Sequence, residues 1–178
     1  MTKSVLAFAL IAAAFLVTGL VGGESRAQQA APSSLDAIPD KMPFDVPYGA
    51  PISLERAQAV IAASVAEAAK HDWKMNAAVV DAGGNLVAFA RMDGAQLASV
   101  AISEHKARTA AIFRRETKVF ESGIQGGNTY LVTLDGVIGS RGGIPLVEGG
   151  KMIGAIGVSG GTGSQDEMIA KVGAALIK

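Results

Sequence analysis

Two glycine turns constrain this chain more than any other feature. Asp81-Ala82-Gly83-Gly84-Asn85 separates an apolar, partly β-branched run at 75–80 from an alternating run at 86–91. Glu148-Gly149-Gly150-Lys151 separates 144–147 from 152–158 in the same way. Gly and Asn supply the positive φ of tight hairpin turns, so each pair of runs is predicted to fold back antiparallel. Antiparallel hairpins exclude a doubly wound parallel sheet, whose strands need long crossovers.

Helical patterns lie around the hairpins. Ser53 is a good N-cap, Glu55 suits the positive end of a helix dipole, and Leu54, Ala57, Val60, Ile61, Val65 and Ala68 recur at helical spacing, predicting a helix from Leu54 to about His71. Residues 98–113 are rich in helix formers, with Val100, Ile102, Ala107, Ala110, Ala111 and Ile112 available for a buried face. Residues 114–122 fit a short helical turn, and 123–128 is too rich in glycine for anything but a loop. Short β-prone pieces follow at 130–134 and 137–138, and Pro145 places its strand near a sheet edge. Met168, Ile169, Val172, Ala175 and Leu176 mark a closing helix over 165–177. The expectation is an α+β domain with a central antiparallel sheet of about five strands flanked by three or four helices.

The N-terminal segment reads as an address. Lys3 precedes an apolar stretch over 5–21, and Ser25-Arg26-Ala27 offers small residues at minus three and minus one, so 1–27 is expected to be a signal peptide cleaved after Ala27. An uncleaved anchor is the alternative, because the stretch approaches the length of a membrane span. Residues 28–51 hold Pro32, Pro39, Pro43, Pro47 and Pro51 and form an expected proline-rich arm, whose later apolar residues suit packing on a domain or a neighbouring subunit. Residues 52–178 form the domain.

Formal charges cancel, 16 basic against 16 acidic residues, so no basic stripe favours nucleic acid. There is no cysteine, which excludes disulfides, thiolate metal sites and a cysteine nucleophile. An exported protein without disulfides depends on packing or on oligomerisation, and a homo-oligomer is expected. Only His71 and His105 are available, so a three-histidine site cannot form in one subunit. No P-loop or nucleophile elbow occurs, and no catalytic residue can be named.

Four blocks resemble the GlcG/HbpS family in order and spacing: residues 78–87, Arg91-Met92-Asp93-Gly94-Ala95, Lys106-Ala107-Arg108-Thr109-Ala110-Ala111, and residues 154–161. The similarity runs from Ile52 to the C-terminus. The resemblance implies a profilin-like or PAS-like fold assembled into dimers or larger rings. It also implies an exported heme-binding protein, periplasmic or secreted, with links in some members to heme degradation, iron binding or redox sensing. In a heme-associated relative an acidic pair three residues apart is implicated in iron binding; Glu104 matches its second member and Ala101 falls at the first. Val137 falls approximately where that relative has an iron-contacting threonine.

Heme is therefore the expected cofactor, and the expected binding residues are His105, Glu104, Lys106, Arg108 and Arg91. His105 is the candidate axial ligand and, with Glu104, the candidate metal pair; Lys106 or Arg108 suits a propionate. Each has a plainer reading: a solvated helical histidine, a Glu104–Arg108 surface pair, and an ion pair between Arg91 and Asp93. Likewise, the glycine loops at 139–143 and 159–164 suit either an anion at a helix N-terminus or tight turns. Two other functions fit the same residues: an enzyme or accessory protein acting on a small carboxylated metabolite, and a purely structural or partner-binding oligomer.

Overall fold

A computed structural model describes residues 38–42 and 44–178. The expected signal peptide and the first part of the arm lie outside the described residues. Residues Asp40–Lys178 form a compact unit of their own. Among the described residues no helix is long and apolar enough to cross a membrane.

Its elements are α1 (Leu54–Lys70), β1 (Asn76–Asp81), β2 (Leu86–Arg91), α2 (Ala98–Ile112), α3 (Lys118–Gln125), a 3-10 helix (Thr129–Thr133), β3 (Gly143–Glu148), β4 (Lys151–Ser159) and α4 (Gly163–Ala174). The four strands form one antiparallel sheet in the order β2-β1-β4-β3. Both hairpins form at the turns singled out above. Gly149 and Gly150 both take positive φ, at 53° and 75°, which makes the second turn a two-residue primed turn. In the first turn the Asp81 carboxylate accepts from the amides of Gly83 at 2.8 Å and Asn85 at 2.9 Å, so the side chain replaces missing ladder bonds.

Strand alternation sends successive side chains to opposite faces. Ala77, Val79, Ile156 and Val158 pack with Val60, Ile61, Ile169 and Ala170, under α1 and α4. Ala78, Val80 and Ala155 pack with Ala107, Ala110 and Ala111 of α2 on the other face. The result is a three-layer α+β domain. Ser53 caps α1, and Thr162 and Gln165 form a reciprocal capping box on α4.

Helix α2 lies unusually close to the sheet. A Cβ at Gly157 would stand 2.1 Å from the Ser103 carbonyl oxygen and 2.4 Å from the Ala107 amide nitrogen. Only the absence of a side chain at Gly157 permits that approach. The buried face of α2 is accordingly small and partly polar: Ser99, Ser103, Lys106, Ala107, Thr109, Ala110 and Ala111. Of the expected apolar face, Val100, Ile102 and Ile112 are only partly buried.

The sheet has four strands and not about five. The β-prone pieces at 130–134 and 137–138 do not pair; residues Thr129–Thr133 form the 3-10 helix instead. β propensity is realised only where a neighbouring strand accepts the ladder, and this stretch packs on α3, with a Leu131 methyl 2.6 Å from where a Gly123 Cβ would stand. The place of an extra strand is taken by the arm. The Met152 amide donates to the Pro47 carbonyl at 2.8 Å, and the amides of Gly49 and Ile52 donate to the Met152 and Ile153 carbonyls at 2.7 and 2.8 Å. Residues 47–52 thus continue the β4 ladder beyond the end of β1, which pairs only as far as Gly154. The arm is held on α2 by Tyr48, whose hydroxyl donates to the Ile112 carbonyl at 2.9 Å, and by Arg115, whose guanidinium lies over the Phe44 ring.

Candidate functional site

Sheet edge and helix together leave a groove. Helix α2 covers β1, β4 and β3 but not the edge strand β2, so a cleft opens between the outer side of α2 and the first hairpin. It measures about 440 Å³ and is lined by Val80, Gly84, Asn85, Leu86, Ala101, Glu104, His105 and Arg108. That size is in the range of small-ligand sites.

Three of the five expected binding residues meet there. Glu104 and His105 are adjacent on α2 and Arg108 stands one turn further on, while Leu86, Ala101 and Val80 supply apolar wall. The hairpin turn closes one end: a Gly84 Cβ would lie 3.1 Å from Arg108 Cγ, so the aliphatic stem of Arg108 rests on the turn backbone. Gly84 has φ 83°, a conformation that favours glycine, and the same residue permits this contact. His105 and Arg108 are exposed, and Glu104 is half-buried. No Glu104–Arg108 ion pair forms among the described residues.

The other two residues lie elsewhere. Lys106 points inward and is 1% exposed; its Nζ donates to Asp166 Oδ2 at 2.7 Å and to the Val158 carbonyl at 3.2 Å. A lysine one position after His105 on a helix turns by about 100°, and here that rotation carries it from the groove to the sheet. It is not available to a groove ligand. Arg91 is exposed and lies outside the groove lining; no Arg91–Asp93 ion pair forms among the described residues.

The glycine loop before α4 is occupied by the protein itself. Asp166 Oδ1 accepts from the Gly161 amide at 3.0 Å, so an internal carboxylate sits where an anion was considered. Burial pushes the Asp166 carboxyl above its ordinary range, against the pull of Lys106 and the glycine amides. In the loop at 139–143, the Arg141 amide donates to Glu121 Oε2 at 2.7 Å and the Gly143 amide to Thr117 Oγ1 at 2.9 Å. The Arg141 guanidinium holds the Glu121 carboxyl below its usual range. Both loops are therefore satisfied internally. Sequence reasoning misses this network because it assigns Lys106 to a ligand propionate and gives Glu121, Asp166 and Glu167 no role. The available signal was the stripe of small residues Ser99, Ser103, Ala107 and Ala110, on which Lys106 also falls.

A second groove of about 440 Å³ lies on the opposite face of β2, against α1, lined among others by Leu54, Gln58, Ile61, Val65 and Val87. It contains no ionisable side chain and no metal donor beyond the Gln58 amide. His71, at the end of α1, is 3.4 Å from Glu67 and stacks on Trp73, away from either groove. No group of three or more His, Cys, Asp or Glu side chains gathers among the described residues, so His105 and Glu104 stand as a pair.

Residues 52–175 match the HbpS-like family, described as Haem degrading protein HbpS-like. Protein GlcG of Escherichia coli K12 is 46% identical over 108 residues, which cover 61% of this chain and 81% of GlcG. The crystal structure of a double mutant of Streptomyces reticuli HbpS superposes with a TM-score of 0.69 at 29% identity, covering 80% of this chain and 97% of that one. A crystal structure of a PduOC:heme complex superposes with a TM-score of 0.66 at 28% identity, covering 72% of this chain and 96% of the other.

Proposed function

The chain belongs to the GlcG/HbpS family, and from that premise we propose that it is an exported protein that binds heme in the groove between α2 and the β1–β2 hairpin. The observation that carries the reading is the joint presence of His105, Arg108 and an apolar wall in one open cleft. Imidazole is a heme-iron ligand, guanidinium pairs with a propionate, and Leu86, Ala101 and Val80 suit a porphyrin face. The residue types fit the group. Glu104 adds an oxygen donor beside His105, which suits iron released from or bound without the porphyrin.

Two comparisons support this reading over its rivals. The α1-side groove has no iron ligand and no cation, so it lacks what heme asks of a site. Of the groups that a carboxylated metabolite would use, Arg91, Lys106 and the glycine-loop amides, all but Arg91 already serve Asp166 and Glu121. Heme bound in an open cleft on an exported protein suits sequestration or sensing. Export rests on Lys3, the apolar stretch over 5–21 and Ser25-Arg26-Ala27, and implies a periplasmic or secreted product.

Hemin titration tests the proposal. The purified protein should shift the Soret band with saturation in the micromolar range or below, a binding free energy of roughly 8 kcal/mol or more. His105→Ala should change the band position and Arg108→Ala should weaken binding without changing it. A titration to tens of micromolar, a range that reaches weak sites, with no spectral change would overturn the reading.

A further inference from the structure

The groove has two unlike walls. Helix α2 supplies Glu104, His105 and Arg108, every ionisable group in the lining. The first hairpin supplies Gly84, Asn85 and Leu86, beside a floor that includes Val80. Leu86 is the cross-strand partner of Val80, which packs under α2, so the register turns Leu86 to the α2 side of the sheet. Among the described residues the hairpin wall offers no imidazole, thioether, phenol or amine, and its one polar side chain is the Asn85 carboxamide.

Asn85 is tied to Asp81 through backbone and side chain. Its amide donates to Asp81 Oδ1 at 2.9 Å, its carbonyl accepts from the Asp81 amide at 2.9 Å, and its Nδ2 donates to Asp81 Oδ1 and Oδ2 at 3.2 and 3.1 Å. Partial burial raises the Asp81 carboxyl, but the bonds from Asn85, Gly83 and Gly84 outweigh it and hold the group below its ordinary range. Asp81 is thus a carboxylate, which only accepts, so the amide nitrogen of Asn85 and not Oδ1 faces it. Both carboxylate oxygens lie on one side of that nitrogen, where a single N–H serves them. The second N–H has no partner among the described residues.

A single helix cannot ligate both faces of a flat ring. Glu104 and His105 project from the same wall, so a porphyrin whose iron takes His105 on one side meets the hairpin wall on the other. We infer that His105 is the one protein ligand of heme in this groove, and that Asn85 faces the second axial position as hydrogen-bond donor to a small exogenous ligand. The inference rests on the heme reading. A neutral carboxamide N–H sorts such ligands by their strength as acceptors: fluoride gains from it, whereas carbon monoxide, a weak acceptor, does not.

Spectroscopy of the protein reconstituted with hemin tests the inference. The ferric complex should be high-spin by electron paramagnetic resonance. Leu86→His puts an imidazole on the hairpin wall at an exposed position, and should make the complex low-spin with two nitrogen ligands. Asn85 does not have a positive φ, so leucine fits its backbone. Asn85→Leu should weaken fluoride binding to the ferric complex by at least about tenfold, the lower end for a hydrogen bond to a charged group, while the affinity of the reduced complex for carbon monoxide changes by less than about threefold. A wild-type complex that is already low-spin, a Leu86→His complex that stays high-spin, or a fluoride affinity that Asn85→Leu leaves unchanged or lowers only in step with carbon monoxide would overturn the inference and leave the heme reading standing. A protein that takes up no hemin refutes the heme reading, and the inference with it.

Discussion

Replacing Lys106 by methionine tests the buried network most sharply. The Lys106 and Asp166 side chains are 1% and 4% exposed, and the Nζ–Oδ2 distance is 2.7 Å. Removing one partner of such a pair leaves a charge in the interior and typically costs 3–5 kcal/mol, about 3 kcal/mol here because the Gly161 amide still donates to Asp166. For a domain of this size that lowers the Tm by roughly 6–12 °C. Asp166→Asn in the same background removes the stranded charge and keeps an acceptor for Gly161, so the double variant should recover part of the loss. Urea denaturation of the four proteins would show coupling above about 1 kcal/mol, as expected for residues in direct contact.

The loss should also depend on pH. Burial already places the folded Asp166 pKa above its ordinary value, and without Lys106 it rises further. An acid with a raised folded pKa is stabilised in the fold as pH falls through that value, so Lys106→Met should be less destabilised near pH 5 than near pH 7. A Lys106→Met penalty below about 1 kcal/mol, the scale of an exposed pair, or one that does not change with pH, would refute this account of the pair.

Three further outcomes follow from the packing. Gly157→Ala drives a methyl into the Ser103 carbonyl and the Ala107 amide; overpacking of that kind costs about 1–3 kcal/mol. Because it displaces the helix that carries His105, hemin affinity should fall with stability, measured by denaturation and absorbance on the same sample. Arg115→Ala removes the cation over Phe44 and should speed limited proteolysis between Phe44 and Ile52 while leaving the hairpins intact. Glu121 and Glu167 are held below the ordinary glutamate range, Glu121 by Arg141, and Glu167 by Lys171 and Lys118 against the effect of its burial. Their contributions are full above that range and are lost as pH falls through the folded values, with Asp166 opposing them. Thermal melts should show declining stability below about pH 4.5, the ordinary glutamate value, and Glu121→Gln should flatten the decline.

Local chemistry made most of the fold legible. The glycine pairs at 83–84 and 149–150 set both hairpins and Ser53 sets the start of α1, whereas α4, capped by Thr162, begins at Gly163, two residues before the expected start. The strand assignment at 130–134 failed because propensity says nothing about whether a partner edge is within reach. That edge, on β4, is completed by residues 47–52, whose prolines concealed a short extended pairing. At the site, Glu104, His105 and Arg108 were readable as neighbours on one helix face. Lys106 was not, because its burial depends on Asp166, sixty residues away, and on Gly157, which lets α2 approach the sheet. Arg91 lies on the α2 face of the domain but outside the groove.

The central claim places heme against α2 and the first hairpin, and backbone amide NMR during hemin addition tests it most directly. Paramagnetic broadening should be concentrated at Asn85, Leu86, Ala101, Glu104, His105 and Arg108, with Gln58, Ala62 and Val65 on the opposite groove unaffected. Broadening centred on that second set, with the α2 amides unchanged, would contradict the account.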